Sequence, residues 1–324
     1  MNLIGQMMRR MRHVVRLKRR LFGPHRPGWS EEFETIATVL RLSADVSVLL
    51  PLGLQRYAID GPRPKTDVVR ETTISDVTAG GVPAKWFSRP DSRHDHVVVY
   101  LHGGGYSAGS VRSHRDLIAR LCRSSGARVL ALDYRLAPEH PFPAQLHDSL
   151  DAYRWLLRQG IHPSGVALAG ESAGGGLTLS TLLKLRELGE PTPATAVLIS
   201  PWVDLEARGG SFHDNRAHDF VTRRAIETYA RRFVPHHHRR HPLAAPIHAE
   251  LHGLPPVLIH VGQLEALRDE GISLAERIRQ AGGDVTLEIW EDMIHAFHVF
   301  APMLPVARDA IDRIGVHISR MQGR

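Results

Sequence analysis

Apolar residues recur in short blocks along most of this chain, and longer stretches with helical spacing lie between them. His96-Val97-Val98-Val99-Tyr100-Leu101, Val166–Ala169, Ala196–Ser200 and Val257–Val261 are nearly unbroken apolar runs, the pattern of strands covered on both faces. Arg128–Leu132 and Val285–Trp290 are further strand candidates, and Thr72–Val77 with Val82–Phe87 reads as an antiparallel entry to the same sheet. Helices are expected near residues 113–124, 145–159, 172–188, 222–233, 269–281 and 305–320. Strand alternating with helix from about residue 66 onward argues for a mostly parallel, eight-stranded sheet flanked by helices, an α/β architecture.

The first 65 residues follow another pattern. Leu3, Met7, Met8, Met11, Val14, Val15 and Leu21 fall on one half of a helical wheel and most of the arginines on the other. Two readings follow: a basic amphipathic helix on an anionic membrane surface, or a helix whose apolar side packs on the protein as part of a lid. A second helix is expected from Glu31 to about Ser47. A connection punctuated by Pro51, Gly53, Gly61, Pro62 and Pro64 comes next, so residues 1–65 read as a helical cap region and 66–324 as the main domain.

Charge sharpens this division. The formal net charge is +7, but residues 1–26 hold Arg9, Arg10, Arg12, Arg16, Lys18, Arg19, Arg20 and Arg26 with no acid, so residues 27–324 carry a net −1. A neutral body gives no reason to expect a nucleic-acid partner. Arginines interrupt the place where a signal peptide's apolar region would sit, and no run of about 18 apolar residues exists to span a membrane. A cytoplasmic protein is expected, with membrane association through the basic helix as the variant reading; a homodimer is left open. The single cysteine, Cys122, allows no intrachain disulfide and no multi-thiolate metal site.

Gly170-Glu171-Ser172-Ala173-Gly174 follows an apolar strand and opens a helical run, the context that a G-x-S-x-G nucleophile elbow needs. Ser172 would then stand at a helix N-terminus, with the Ala173 amide aimed at developing negative charge. His102-Gly103-Gly104-Gly105 also follows a strand and exposes main-chain amides with no side chain in the way, a second source of oxyanion donors. A serine hydroxyl needs a base and the base an orienting acid, in the chain order serine, acid, histidine for this fold. His295 sits in a loop after the last strand and is the candidate base, with His298 as the lesser choice. For the acid, Glu265 comes first after Val257–Val261, and Asp269 is the alternative, placed where it could equally cap a helix. The run His236-His237-His238-Arg239-Arg240-His241 lacks acidic or cysteine partners at metal-site spacing and reads as a solvated basic loop.

Together, His102-Gly-Gly-Gly, Asp133-Tyr-Arg-Leu-Ala-Pro-Glu-His-Pro-Phe-Pro-Ala144 and Gly170-Glu-Ser-Ala-Gly-Gly resemble the hormone-sensitive lipase family, the bacterial family IV esterases, over about residues 66–320. That family carries its acid in Asp-Pro-Leu-x-Asp-Glu-Gly; here Glu265-Ala-Leu-Arg-Asp-Glu-Gly271 is similar, with glutamate in the catalytic place. The resemblance implies an α/β-hydrolase fold and a serine carboxylesterase acting on small esters of short to medium acyl chain, with no cofactor or metal. It also implies oxyanion donation by the amides of Gly104, Gly105 and Ala173, and a cap formed in part by the first 50 or so residues. The Asp133–Ala144 run is expected to brace the catalytic loops, with Glu139 or His140 in a buried polar contact. An amidase, deacetylase or lactonase using the same groups, or a ligand-binding protein on the same fold, remains the rival.

Overall fold

The structure is a computed structural model that describes residues 3–61 and 65–323, with the side chains of residues 3–7 left aside. Among the described residues eight strands form one sheet: β1 (Thr73–Ala79), β2 (Val82–Ser88), β3 (Arg93–Leu101), β4 (Ala127–Leu132), β5 (Val166–Glu171), β6 (Thr195–Ile199), β7 (Val257–Gly262) and β8 (Val285–Trp290). Their order is β1-β2-β4-β3-β5-β6-β7-β8. β2 pairs antiparallel with β1 and with β4, and every other pairing is parallel. β5, β6 and β7 are buried along their whole length, which is why they read as apolar runs.

The helices are α1 (Leu3–Phe22), α2 (Glu31–Ser47), α3 (Leu52–Asp60), α4 (Asp67–Arg70), α5 (Val111–Ser125), α6 (Ala144–Arg158), α7 (Ala173–Glu187), α8 (Ser211–Asp214), α9 (Arg223–Phe233), α10 (Arg268–Gln280) and α11 (Pro305–Gln322). Alternation along β3 sorts them into two layers. Val97, Val99 and Leu101 face Leu150 and Tyr153 of α6 and Leu177 and Leu182 of α7. Val98 and Tyr100 face Leu117 and Leu121 of α5 and Ile311 and Ile314 of α11. α10 adds Leu274 and Ile278 against Val257, Ile259 and Val261. Local signals set the ends of several helices: Ser110 and Ser113 form a reciprocal capping box on α5, and Gly126 closes it at φ +66°.

Two expectations for the N-terminal segment are corrected. Leu52–Asp60 is a helix rather than an irregular connection, because Pro51 precedes it and Gly61 follows it, so these residues bound the helix instead of breaking it. Pro62 and Pro64 lie outside the described residues. On α1, Val15 is buried but Val14 and Leu21 are exposed, so the apolar half of the wheel is not one contact face. A surface helix meets its neighbours along a narrow stripe, here toward α2, where Arg12 and Arg16 bind Glu31 and Arg19 binds Glu34. Leu3 and Met7 are outside the described side chains. α2, capped by Ser30 on the Phe33 amide, is the helix of this pair that enters the core, through Phe33 and Ala37 with Trp29 just before it. Among the described residues no helix is long and apolar enough to cross a membrane.

Candidate active site

The sheet order reverses around β3, and ligands of open α/β sheets gather beyond the strand C-termini at such a point. β3 and β5 run side by side with Leu101 opposite Gly170, so the glycine loop after β3 and the serine turn after β5 are neighbours. β6, β7 and β8 follow in order and deliver Ser200, Glu265 and His295 to the same edge. Positive φ is concentrated here, at Tyr106, Ser172, Ser200, Asp292 and Ala296. Backbone strain of this kind persists only where the surrounding fold enforces it.

Ser172 has φ 55° and ψ −118°. Its amide donates to the Ile199 carbonyl at 2.8 Å, and its own carbonyl accepts from the Trp202 amide at 2.9 Å, which pins the turn to β6. Gly174 permits this close packing: a Cβ there would lie 2.0 Å from the Leu101 carbonyl oxygen. α7 starts at Ala173, so its unpaired amides and positive end sit beside the Ser172 hydroxyl. Gly105 takes φ +61°, and a Cβ on it would strike the Tyr229 ring, so this loop lies under an aromatic wall supplied by α9.

The histidine that opens this loop serves as scaffold. His102 stacks on Tyr134 with centroids 4.3 Å apart, its Nδ1 lies 2.7 Å from the Gly103 carbonyl, and the Tyr134 hydroxyl donates to the His102 carbonyl at 2.6 Å. Burial pushes the His102 ring down to about 3, so it is neutral. The Asp133 carboxylate accepts the first amide of α5, and Arg135 binds Asp148, consistent with a bracing role for this run. Glu139 corrects its expectation: it is exposed and forms a bidentate pair with Arg56 of α3 at 2.7 Å for both contacts. Arg56 also donates to the carbonyls of Ser107 and Ala137, fastening the N-terminal segment to the glycine loop. The long guanidinium arm reaches across from α3, so Glu139 can pair without being buried.

Glu265 is fully buried. Its Oε2 accepts from Ser200 Oγ at 2.6 Å and from the Gly262 amide at 2.9 Å. Burial pushes its carboxyl up to about 8 against those two hydrogen bonds, and the negative charges of Asp219 and Glu171 act in the same direction as burial. Among the described residues, Oε1 of Glu265 has no hydrogen-bond partner, and neither does Nδ1 of His295. The two loops touch directly: the Leu264 amide donates to the Met293 carbonyl at 2.8 Å, and Ser200 Oγ, while bound to Glu265, accepts the Ala296 amide at 3.0 Å. Asp269 points elsewhere, accepting the Ser211 amide at 2.8 Å and pairing with Arg268. His298 is fully buried against His260, with Nε2 3.2 Å from Nδ1 of His260.

Three participants escaped the sequence reading. Asp219, from the irregular segment after α8, accepts the amides of Ala266, Phe220 and His295 and so ties the loop of Glu265 to the loop of His295. Burial raises its carboxyl, with His295 opposing. No periodicity or motif marks it. Glu171 was in view as the variable position of the elbow motif. Its buried carboxylate lies 3.0 Å from His114 Nε2 and 3.8 Å from His295 Nε2. Phe220 sets its ring edge-on to His295 at 5.8 Å between centroids. The N-terminal segment reaches this loop too, since Trp29 Nε1 donates to the Asp292 carbonyl at 2.8 Å.

Of the basic run at 236–241, all but Arg239 are exposed; Arg239 is buried in a bidentate pair with Glu227. Asp204, Glu206 and His248 bring ligand atoms within 4.8 Å of one another. Arg208 donates to Asp204 at 2.8 Å and approaches His248 at 3.2 Å, and Arg240 donates to Glu206 at 2.8 Å, so guanidinium groups already match the acidic charge and a metal fits poorly.

A parallel sheet carrying a strained serine at the β5–α7 turn, with a histidine loop after β8, defines an α/β hydrolase. A family model described as alpha/beta hydrolase fold matches residues 98–299. The chain is 44% identical over 248 residues to an acetyl-hydrolase of Streptomyces hygroscopicus, spanning 76% of this chain and 83% of that protein. It is 33% identical to carboxylesterase NlhH of Mycobacterium tuberculosis, over 76% of this chain and 80% of that one. A solved esterase from the bacterial hormone-sensitive lipase family superposes with a TM-score of 0.83 at 41% identity, covering 88% of this chain and 98% of its own. The chain belongs to the bacterial hormone-sensitive lipase family of α/β hydrolases.

Proposed function

We propose that this protein is a serine carboxylesterase in which Ser172 is the nucleophile, His295 the general base and Glu265 the acid that orients it. The observation that carries the assignment is the pair of buried, unpartnered and complementary atoms on adjoining loops, Glu265 Oε1 and His295 Nδ1. Each costs free energy alone, and a hydrogen bond between them would satisfy both. With the carboxyl ionised, that bond leaves the proton on Nδ1 and makes Nε2 the acceptor for the Ser172 proton. Names of relatives, acetyl-hydrolase and carboxylesterase, support an ester as the substrate class.

In the first half-reaction Ser172 Oγ bonds to the ester carbonyl carbon while its proton passes to His295 Nε2. The carbonyl oxygen becomes an oxyanion held by the amides of Gly104, Gly105 and Ala173. Collapse breaks the bond to the alcohol oxygen, which leaves with the proton from His295. Water repeats the sequence on the acyl-enzyme and releases the acid. A preference for short to medium acyl chains is supported by the aromatic walls at this edge, Tyr229 over Gly105 and Phe220 beside His295.

The test is hydrolysis of p-nitrophenyl esters from acetate to long acyl chains, with an anilide and a lactone in the panel, by wild type beside Ser172→Ala and His295→Ala. Turnover on esters that falls by about 10⁴-fold in either folded variant supports the proposal. Near-normal rates would refute it, and a preference for the anilide or lactone would move the substrate class.

A further inference from the structure

We propose that the outer face of the N-terminal helical segment docks on an anionic lipid surface. At about 100° per residue, Val14, Leu17 and Leu21 share an arc of roughly 60° on α1, and all three are more than half exposed. The opposite side of the helix carries buried Val15 and the Arg19–Glu34 pair, so the exposed stripe is not the one that packs on the protein. Of the fourteen large apolar side chains exposed among the described residues, ten lie between Val14 and Tyr57, so the surface apolar groups belong mainly to this segment rather than to the catalytic body. Scattered exposed apolar residues need no explanation, but a concentration of this kind marks an interaction surface.

Charge selects the partner. Arg10 falls within the same arc, and Lys18 and Arg20 border it on either side. These three and Arg9 are exposed and make no ion pair with an acid among the described residues, unlike Arg12, Arg16 and Arg19, which are matched by Glu31 and Glu34. A second copy of this chain would press one bare positive face against another. An anionic bilayer satisfies both features, taking the apolar stripe at the headgroup boundary and the bases at the phosphates. The segment is also tied to the site, through Arg56 on the carbonyls of Ser107 and Ala137 and through Ser110 Oγ, which donates to Asp60 at 2.6 Å. Such docking goes beyond the esterase assignment and does not depend on it.

The experiment is co-flotation of the full chain with vesicles of phosphatidylcholine alone or with about one-third phosphatidylglycerol, at about 0.05 M and about 0.5 M NaCl. Each exposed base near an anionic surface is worth about fivefold in partitioning, so wild type should favour anionic over neutral vesicles by on the order of a hundredfold at low salt and lose most of that at high salt. Two variants follow, each checked for folding by circular dichroism: Leu17→Asp with Leu21→Asp, and Arg10→Ala with Lys18→Ala and Arg20→Ala. Both should lower partitioning by about tenfold or more. Equal binding to both vesicle types, no binding at low salt, or folded variants that bind like wild type would overturn the proposal. So would a fall in self-association by sedimentation in the leucine variant without a fall in vesicle binding, which assigns the face to a second copy. Flotation is read without turnover, so an inactive but vesicle-bound protein would refute the esterase assignment and leave the docking surface standing.

Discussion

Replacing Glu265 by glutamine should separate catalysis from stability in opposite directions. The side chain is fully buried, and Oε2 holds Ser200 Oγ and the Gly262 amide. An amide oxygen can keep both bonds, which turns the NH2 group toward His295 Nδ1. That nitrogen must then accept, the proton moves to Nε2, and the imidazole no longer takes the Ser172 proton. At about pH 8 and above, where the wild-type carboxyl is ionised, a loss of about 10⁴ in kcat is expected, corresponding to roughly 5 kcal/mol of lost transition-state stabilisation. Stability should move the other way. The folded carboxyl sits at about 8, above the ordinary value of 4.5. The fold thus binds this proton more tightly than the unfolded chain does, and ionisation weakens the fold progressively as pH rises from about 4.5 to about 8. Glutamine carries no such penalty, so its advantage in urea denaturation should be near zero at about pH 4.5 and grow to on the order of a few kcal/mol by about pH 8. Initial rates on a p-nitrophenyl ester and urea midpoints across that range test both halves. A folded variant within about tenfold of wild-type kcat would refute the triad argument. A stability difference independent of pH would refute the electrostatic one.

Three other substitutions probe the surroundings. Gly105→Ala puts a Cβ into the Tyr229 ring at a φ of +61°, so the glycine loop must shift; if its amides hold the oxyanion as proposed, kcat should fall by about 10²-fold or more with circular dichroism unchanged, and a rate near wild type would show that this amide donates nothing. Glu171→Gln alters the buried carboxylate that lies 3.0 Å from His114 Nε2 and 3.8 Å from His295 Nε2, so kcat should fall by about tenfold or more with circular dichroism unchanged; an unchanged rate would confine Glu171 to holding His114. Arg56→Ala cuts the ties from α3 to Glu139 and to the Ser107 and Ala137 carbonyls, and amide hydrogen exchange in residues 52–60 should rise by about tenfold or more while the sheet stays protected; unchanged exchange would show that the segment is held elsewhere.

How much of this was legible beforehand depends on the range of the interactions involved. The sheet could be read because its central strands are covered on both faces, and an unbroken apolar run is the direct consequence of that burial. The serine turn and the glycine loop were visible because their geometry demands particular residues within a few positions: small ones at Gly174 and Gly105, where backbone or ring approaches closely. The order Ser172, carboxylate, His295 was visible as well, and Glu265 was preferred to Asp269 only because it comes first after the strand. Four residues apart, they differ only in which way the chain aims them: one toward the loop of His295, the other toward Ser211. Asp219 and Phe220 carry no pattern of their own, since their position comes from tertiary contacts with residues 47 or more places away. The N-terminal helix shows the same limit, because its wheel fixes an apolar arc but not which part of that arc the body covers. Short-range sterics and burial are written into neighbouring residues; the direction of a buried carboxylate and the free side of a surface helix exist only once distant segments have packed.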